Sequence, residues 1–133
     1  MISSTVARVT AFVLLAFGVL MLFMPDNLLP YLIPGFPPAA AWVGQLVGGA
    51  WIGLASITWS HRRQPLGGIY SRPVTYANAL SLFIGGTAFC KAALGEGTPP
   101  AAWAMAAPLE VLALVWLVLL LKGPFDRGLD SQG

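Results

Sequence analysis

Four stretches of this chain are each long enough to cross the hydrocarbon core of a bilayer as a helix, and almost nothing charged interrupts them. Such a crossing takes roughly 20 apolar residues for about 30 Å. The first run, about 6–24, reads VARVTAFVLLAFGVLMLFM and stops at Pro25-Asp26. The second, about 39–60, reads AAAWVGQLVGGAWIGLASITWS and stops at His61-Arg62-Arg63. The third, about 74–94, ends at Gly95-Glu96-Gly97, and the fourth, about 101–121, is closed by Lys122-Gly123-Pro124. The expectation is an all-α fold: a polytopic membrane four-helix bundle, one domain over 1–133, with a short flexible tail at 122–133.

Composition decides which solvent this surface meets. The chain is 57% hydrophobic and 9% charged, with seven basic and five acidic residues. Soluble domains carry about 25% charged residues, so these are too few to cover a surface facing water. The net charge of +2 does not point to nucleic acid, because the basic residues flank apolar runs as membrane proteins require. Cys90 is the single cysteine and His61 the single histidine. That removes an intrachain disulfide, a CxxC motif, a His/Cys metal set and a Ser/His/Asp triad. No cofactor, metal or catalytic constellation is expected.

Orientation follows from Lys and Arg placement. With alternating helices, Arg8, Arg62, Arg63, Arg72, Lys122 and Arg127 fall on one side and only Lys91 on the other. Both termini are therefore expected in the cytoplasm, with the chain multi-pass in the cell's inner membrane. The first run could instead serve as a secretory signal, but its exit, LFMPDN, carries no A-x-A cleavage pattern.

Two phrases recur at the outer ends. Gly35-Phe36-Pro37-Pro38-Ala39-Ala40-Ala41-Trp42 leads into the second run, and Gly97-Thr98-Pro99-Pro100-Ala101-Ala102-Trp103 into the fourth. Proline is tolerated at a helix start, where its missing N–H has no partner to lose. Tryptophan suits the interface. The phrases fit either a parallel repeat of two hairpins or two similar solutions to one interface problem. The first outer loop, PDNLLPYLIPGFPP, is apolar and too proline-rich for a long helix, and reads as a short interfacial segment.

Small residues line the later runs. Gly44, Gly48, Gly49 and Gly53 make two overlapping GxxxG spacings, which let helix backbones approach closely in lipid. Gln45, Gly48, Gly49, Ile52 and Ser56 share helical spacing, which places Gln45 on a close-packed face. The third run offers Asn78, Ser81, Gly85, Ala88 and Ala92. The fourth offers Trp103, Ala106, Ala107, Glu110 and Ala113, with Leu109, Leu112, Val115, Trp116 and Leu119 elsewhere. The expected bundle turns the small stripes inward.

Glu110 is the acid that this pattern must explain. It lies about ten residues, or about 15 Å, from the outer end of its run. A charge at that depth costs several kcal/mol unless it is paired or neutral. Lys91 is a candidate partner, or it snorkels outward near Glu96. Pro108 frees the carbonyl of Ala104 close by. Glu110, Gln45 and Asn78 either lock helix register as one hydrogen-bonded cluster or form a proton or cation site. At the cytoplasmic end, Arg62, Arg63 and Arg72 are candidate contacts for anionic headgroups or a partner, or simply anchor the topology.

The segment TWSHRRQPLGGIYSRPVTYANALSLFIGG resembles small bacterial four-helix integral membrane proteins with a GGIYxRP-like cytoplasmic loop. They carry a tryptophan near the end of the second helix, a basic residue, that loop, and an asparagine in the third helix. The matching positions are Trp59, Arg62 or Arg63, Gly67 to Pro73, and Asn78. The resemblance covers about a quarter of the chain and implies architecture without an activity. AAPLEVLAL is superficially similar to the acidic helix of small multidrug-resistance transporters, but that acid belongs on their first helix and Glu110 is on the fourth. Two functions are therefore carried forward. One is an accessory or assembly subunit of a membrane complex, bound to another membrane protein; a lone chain or a homo-oligomer fits the second instead. The alternative is a proton- or cation-coupled small-molecule transporter using Glu110.

Overall fold

The computed structural model describes residues 2–32, 34–63 and 72–122, which are helical throughout apart from short connections. Five α-helices are present among them: α1 (Ile2–Phe23), α2 (Pro25–Leu32), α3 (Trp42–Ser60), α4 (Arg72–Ala93) and α5 (Trp103–Lys122). Two of these are long and apolar enough to cross a membrane by length and composition, over Ser4–Phe23 and Pro100–Lys122. Helices α3 and α4 are as long, but their glycines, tryptophans and polar side chains lower their hydropathy. The GGIY loop, Arg127 and the tail beyond Lys122 lie outside the described residues.

The apolar outer loop forms α2, a helix of 8 residues that starts at Pro25. The Leu28 amide still donates to the Met24 carbonyl at 2.9 Å, so α2 follows α1 almost without a break. Pro25 and Leu29 are buried against Gly44 of α3, while Tyr31 stays exposed. Part of this segment therefore caps the α1–α3 contact.

Both repeated phrases take the same conformation. Gly35 and Gly97 have φ of 78° and 77°, a left-handed backbone that side chains with a Cβ resist. Each is followed by a 3-10 turn, Pro38–Ala40 and Pro100–Ala102, and then by the helix that contains the tryptophan. Trp42 and Trp103 are both exposed.

The long helices associate in two close pairs, α1 with α3 and α4 with α5. In the first pair, a Cβ added at Gly48 would stand 2.6 Å from the Gly18 carbonyl oxygen and 2.9 Å from the Leu22 amide nitrogen. That spacing exists only because both residues are glycine. Between the pairs, large side chains fill a wider seam. Trp51 of α3 sits between Phe17 of α1 and Phe89 of α4, with ring centroids 6.3 and 5.9 Å away. Trp116, Leu14, Leu82, Leu109 and Leu119 are fully buried.

This seam corrects the expected facing of the stripes. On α5, Leu109, Leu112, Trp116 and Leu119 point inward, and of the small stripe only Ala106 and Ala113 are buried. On α4 the inward face is Val74, Thr75, Asn78, Ala79, Leu82 and Gly86, with Ser81 and Ala88 exposed. On α3 it is Gly44, Gly48, Trp51, Ala55 and Thr58, leaving Gln45, Gly49 and Gly53 exposed. Small residues bring two helices together, but filling the space between two pairs takes volume, and leucine and tryptophan supply it.

Candidate functional site

The sequence places Glu110, Gln45 and Asn78 in one polar cluster, and the structure separates them. Asn78 is fully buried. Its Nδ2 donates to Thr58 Oγ1 at 2.8 Å and to the Val74 carbonyl at 3.0 Å. A carbonyl can only accept, which fixes the orientation of the amide. Thr58 in turn donates to the Leu54 carbonyl at 2.7 Å. Asn78 Oδ1 is buried and has no partner. A second polar bond crosses the seam from Trp116 Nε1 to Thr10 Oγ1 at 2.8 Å. Thr10, Thr58 and Thr75 are all fully buried, so a polar layer ties α1 to α5 and α3 to α4 inside an otherwise apolar interior. Gln45 takes no place in it.

Glu110 lies on α5 seven residues past Trp103, about 10 Å along a helix of about 30 Å. Its partner surface is Gly86 of α4. A Cβ at Gly86 would lie 2.6 Å from Glu110 Oε2 and 3.1 Å from the Glu110 amide nitrogen. The buried Ala106 and Ala113 flank Glu110 on the same side of α5. On its other side Ala107, Val111 and Leu114 are exposed, so Glu110 stands at the edge of the α4–α5 contact rather than in the centre. The residue is half-buried, yet Oε2 is buried and has no hydrogen-bond partner. Lys91 is exposed and gives that oxygen no bond.

The basic end is organised around Trp59. Arg62 Cζ sits 4.4 Å from the centroid of the Trp59 ring, a cation–π distance. Arg62 also donates to the Trp59 carbonyl at 2.8 Å. Arg63 and Arg72 are exposed. No group of His, Cys, Asp and Glu suited to a metal ion occurs among the described residues.

Of the four glycines on α3, Gly44 and Gly48 pack within the chain. Gly49 and Gly53 meet open space, with no atom within 4 Å of an added Cβ. Gly86, Thr58, Thr10 and Trp116 carry contacts that spacing alone did not single out. Thr58 is separated from Asn78 by the basic loop, and the pairing depends on how two helices rotate. No family model, curated protein or solved structure matches this chain.

Proposed function

We propose that this chain is a small integral membrane protein of the inner membrane, a four-helix bundle with both termini cytoplasmic, that serves as an accessory or assembly subunit. Exposed apolar side chains on all four long helices support the bilayer as its solvent. Phe23 is 75% exposed, Leu46 63%, Ile84 66% and Leu121 81%. Hydroxyls that water would otherwise satisfy turn back onto their own helix: Ser56 donates to Ile52 and Ser60 to Ser56, each at 2.9 Å. The packing of Ala7, Thr10 and Leu14, all fully buried, supports α1 as a working part of the fold rather than a leader.

The observation that carries the subunit reading is the open face of α3. Gln45, Gly49 and Gly53 recur every four residues and stay exposed, while the glycines that serve the chain's own packing lie on another face. Small residues with one amide are what a second transmembrane helix packs against in lipid. Extraction in mild detergent followed by intact-complex mass measurement is expected to show a stoichiometric foreign partner, whereas a homo-oligomer favours the transporter alternative. Gly49→Leu with Gly53→Leu is expected to release the partner while leaving the chain folded. A lone monomer refutes this reading.

The transporter alternative is supported by one observation, the unpartnered Glu110 Oε2. A buried carboxylate oxygen with a free lone pair suits a proton or a small cation. Under that reading Glu110→Gln abolishes coupled flux in vesicles; under the subunit reading it leaves assembly unchanged.

A further inference from the structure

Resting on the membrane reading above, we infer that the groove between α1 and α3 holds one anionic phospholipid, with its acyl chain between the helices and its phosphate at Arg62 and Arg63. The groove has a volume of about 410 Å³, within the range of about 300–1,000 Å³ usual for small-molecule sites. It is lined by Ala11, Phe12 and Leu15 of α1 and by Ala55 and Trp59 of α3. Phe12 meets Trp59 edge-on, with centroids 5.7 Å apart and the planes at 75°. Ser56 and Ser60 also line the groove, but their protons are committed to the Ile52 and Ser56 carbonyls. The surface offered is therefore that of a hydrocarbon slot.

The mouth of the slot is cationic. Trp59 lines the groove and carries the Arg62 guanidinium on its face. One Arg62 N–H is used by the Trp59 carbonyl, which leaves the rest of its five donors directed elsewhere. Arg63 is exposed beside it. The acids among the described residues are Asp26 at the start of α2, Glu96 beyond α4 and Glu110 within α5, so none shares this end of α3. An apolar slot continuous with two arginines that no acid among the described residues faces matches a molecule with a long apolar chain under an anionic head. A free phosphate would leave the slot unused, and a zwitterionic lipid would set an ammonium against the arginines.

The test reconstitutes the full chain in phosphatidylcholine vesicles containing a fixed minor share of lipid brominated along the acyl chain. That lipid is phosphatidylglycerol in one series and phosphatidylcholine in the other. Bromine quenches an indole it touches, and the share due to Trp59 is the difference between the unaltered chain and Trp59→Phe. Brominated phosphatidylglycerol is expected to quench that share several-fold more. Arg62→Gln and Arg63→Gln are each expected to lower the preference about fivefold, the worth of one basic residue at an anionic surface. Lys122→Gln, on α5, is expected to leave it unchanged. Equal quenching by the two lipids overturns the inference, as does an equal fall with Lys122→Gln. Quenching of the other tryptophans with Trp59 spared means that a partner or a second copy fills the groove; it overturns the lipid site and leaves the membrane reading standing. No quenching of any tryptophan overturns both.

Discussion

Adjacent glycines on α3 are expected to respond to the same substitution with opposite sign. A methyl group at Gly48 would sit 2.6 Å from the Gly18 carbonyl oxygen, about 0.8 Å inside the 3.4 Å at which ordinary contact begins. It would also sit 2.9 Å from the Leu22 amide nitrogen. Both are backbone atoms of α1, so no rotamer change relieves the clash and the two helices must separate. A gap of 0.5–1 Å forfeits roughly a quarter to a half of each contact's attraction, and overpacking a tight site costs about 1–3 kcal/mol. Helix propensity works the other way, favouring Ala over Gly by about 1 kcal/mol in a helix interior. Gly48→Ala is therefore expected to destabilise by up to about 2 kcal/mol net. Gly49→Ala meets nothing within 4 Å and keeps the propensity gain, so it is expected to stabilise by up to about 1 kcal/mol. Reversible unfolding of each variant in mixed detergent micelles, followed by far-ultraviolet circular dichroism, measures the difference directly. Equal effects at the two positions would refute the assigned rotation of α3, and with it the open face on which the subunit reading rests.

Two further expectations concern the polar seam and the second helix pair. Thr58→Val keeps the shape of the side chain and strands an Asn78 N–H, a loss of about 1–3 kcal/mol; Thr10→Val does the same to Trp116, and because the two bonds share no partner, the double variant's loss in the same unfolding assay should be close to additive. Gly86→Ala pushes a methyl group against Glu110 Oε2, so a double-mutant cycle with Glu110→Ala is expected to show a coupling of at least about 0.5 kcal/mol, and independence of the two sites would contradict the α4–α5 contact.

Much of the secondary structure was legible because it follows from local chemistry. Long apolar runs give helices, and proline with glycine sets their starts. The left-handed backbone at Gly35 and Gly97 and the 3-10 turns at the two Pro-Ala-Ala triplets go beyond what the repeated phrases alone indicate. Which way each helix faces was not legible. Stripes of small residues suggest the inside, yet α5 buries Leu109 and Trp116 and leaves Ala107 exposed. A helix with apolar residues all round gives no amphipathic signal to orient it. Its rotation is set by the shapes that must interlock, such as Trp51 between Phe17 and Phe89. The GxxxG pattern is divided for the same reason: four glycines on α3 satisfy the spacing, but only Gly48 lies where α1 passes and Gly44 where α2 does. Asn78 was recognisable as a buried polar residue, whereas its partner Thr58 could be found only once α3 and α4 were side by side.

The repeated phrases bear on why Glu110 is an acid. Gly35 and Gly97, Pro38 and Pro100, and Gly48 and Glu110 are all separated by 62 residues. The two close crossings thus lie at the same distance from matching turns. In the first pair the crossing residue is glycine against Gly18. In the second, Gly86 alone opens the space, and the residue against it, Glu110, carries a carboxyl group whose Oε2 is buried and unpartnered. Close packing would be served as well by alanine, which brings no polar atom into the contact. Leaving a buried acceptor unsatisfied costs about 1–3 kcal/mol. If position 110 is kept as an acid for function rather than for stability, Glu110→Ala should therefore leave the chain at least as stable in the unfolding assay. The expectation is a gain of about 1 kcal/mol, with the loss confined to flux or to assembly with a partner. A loss of stability comparable to that of Gly48→Ala would instead make Glu110 a packing residue and remove the observation that supports the transporter alternative.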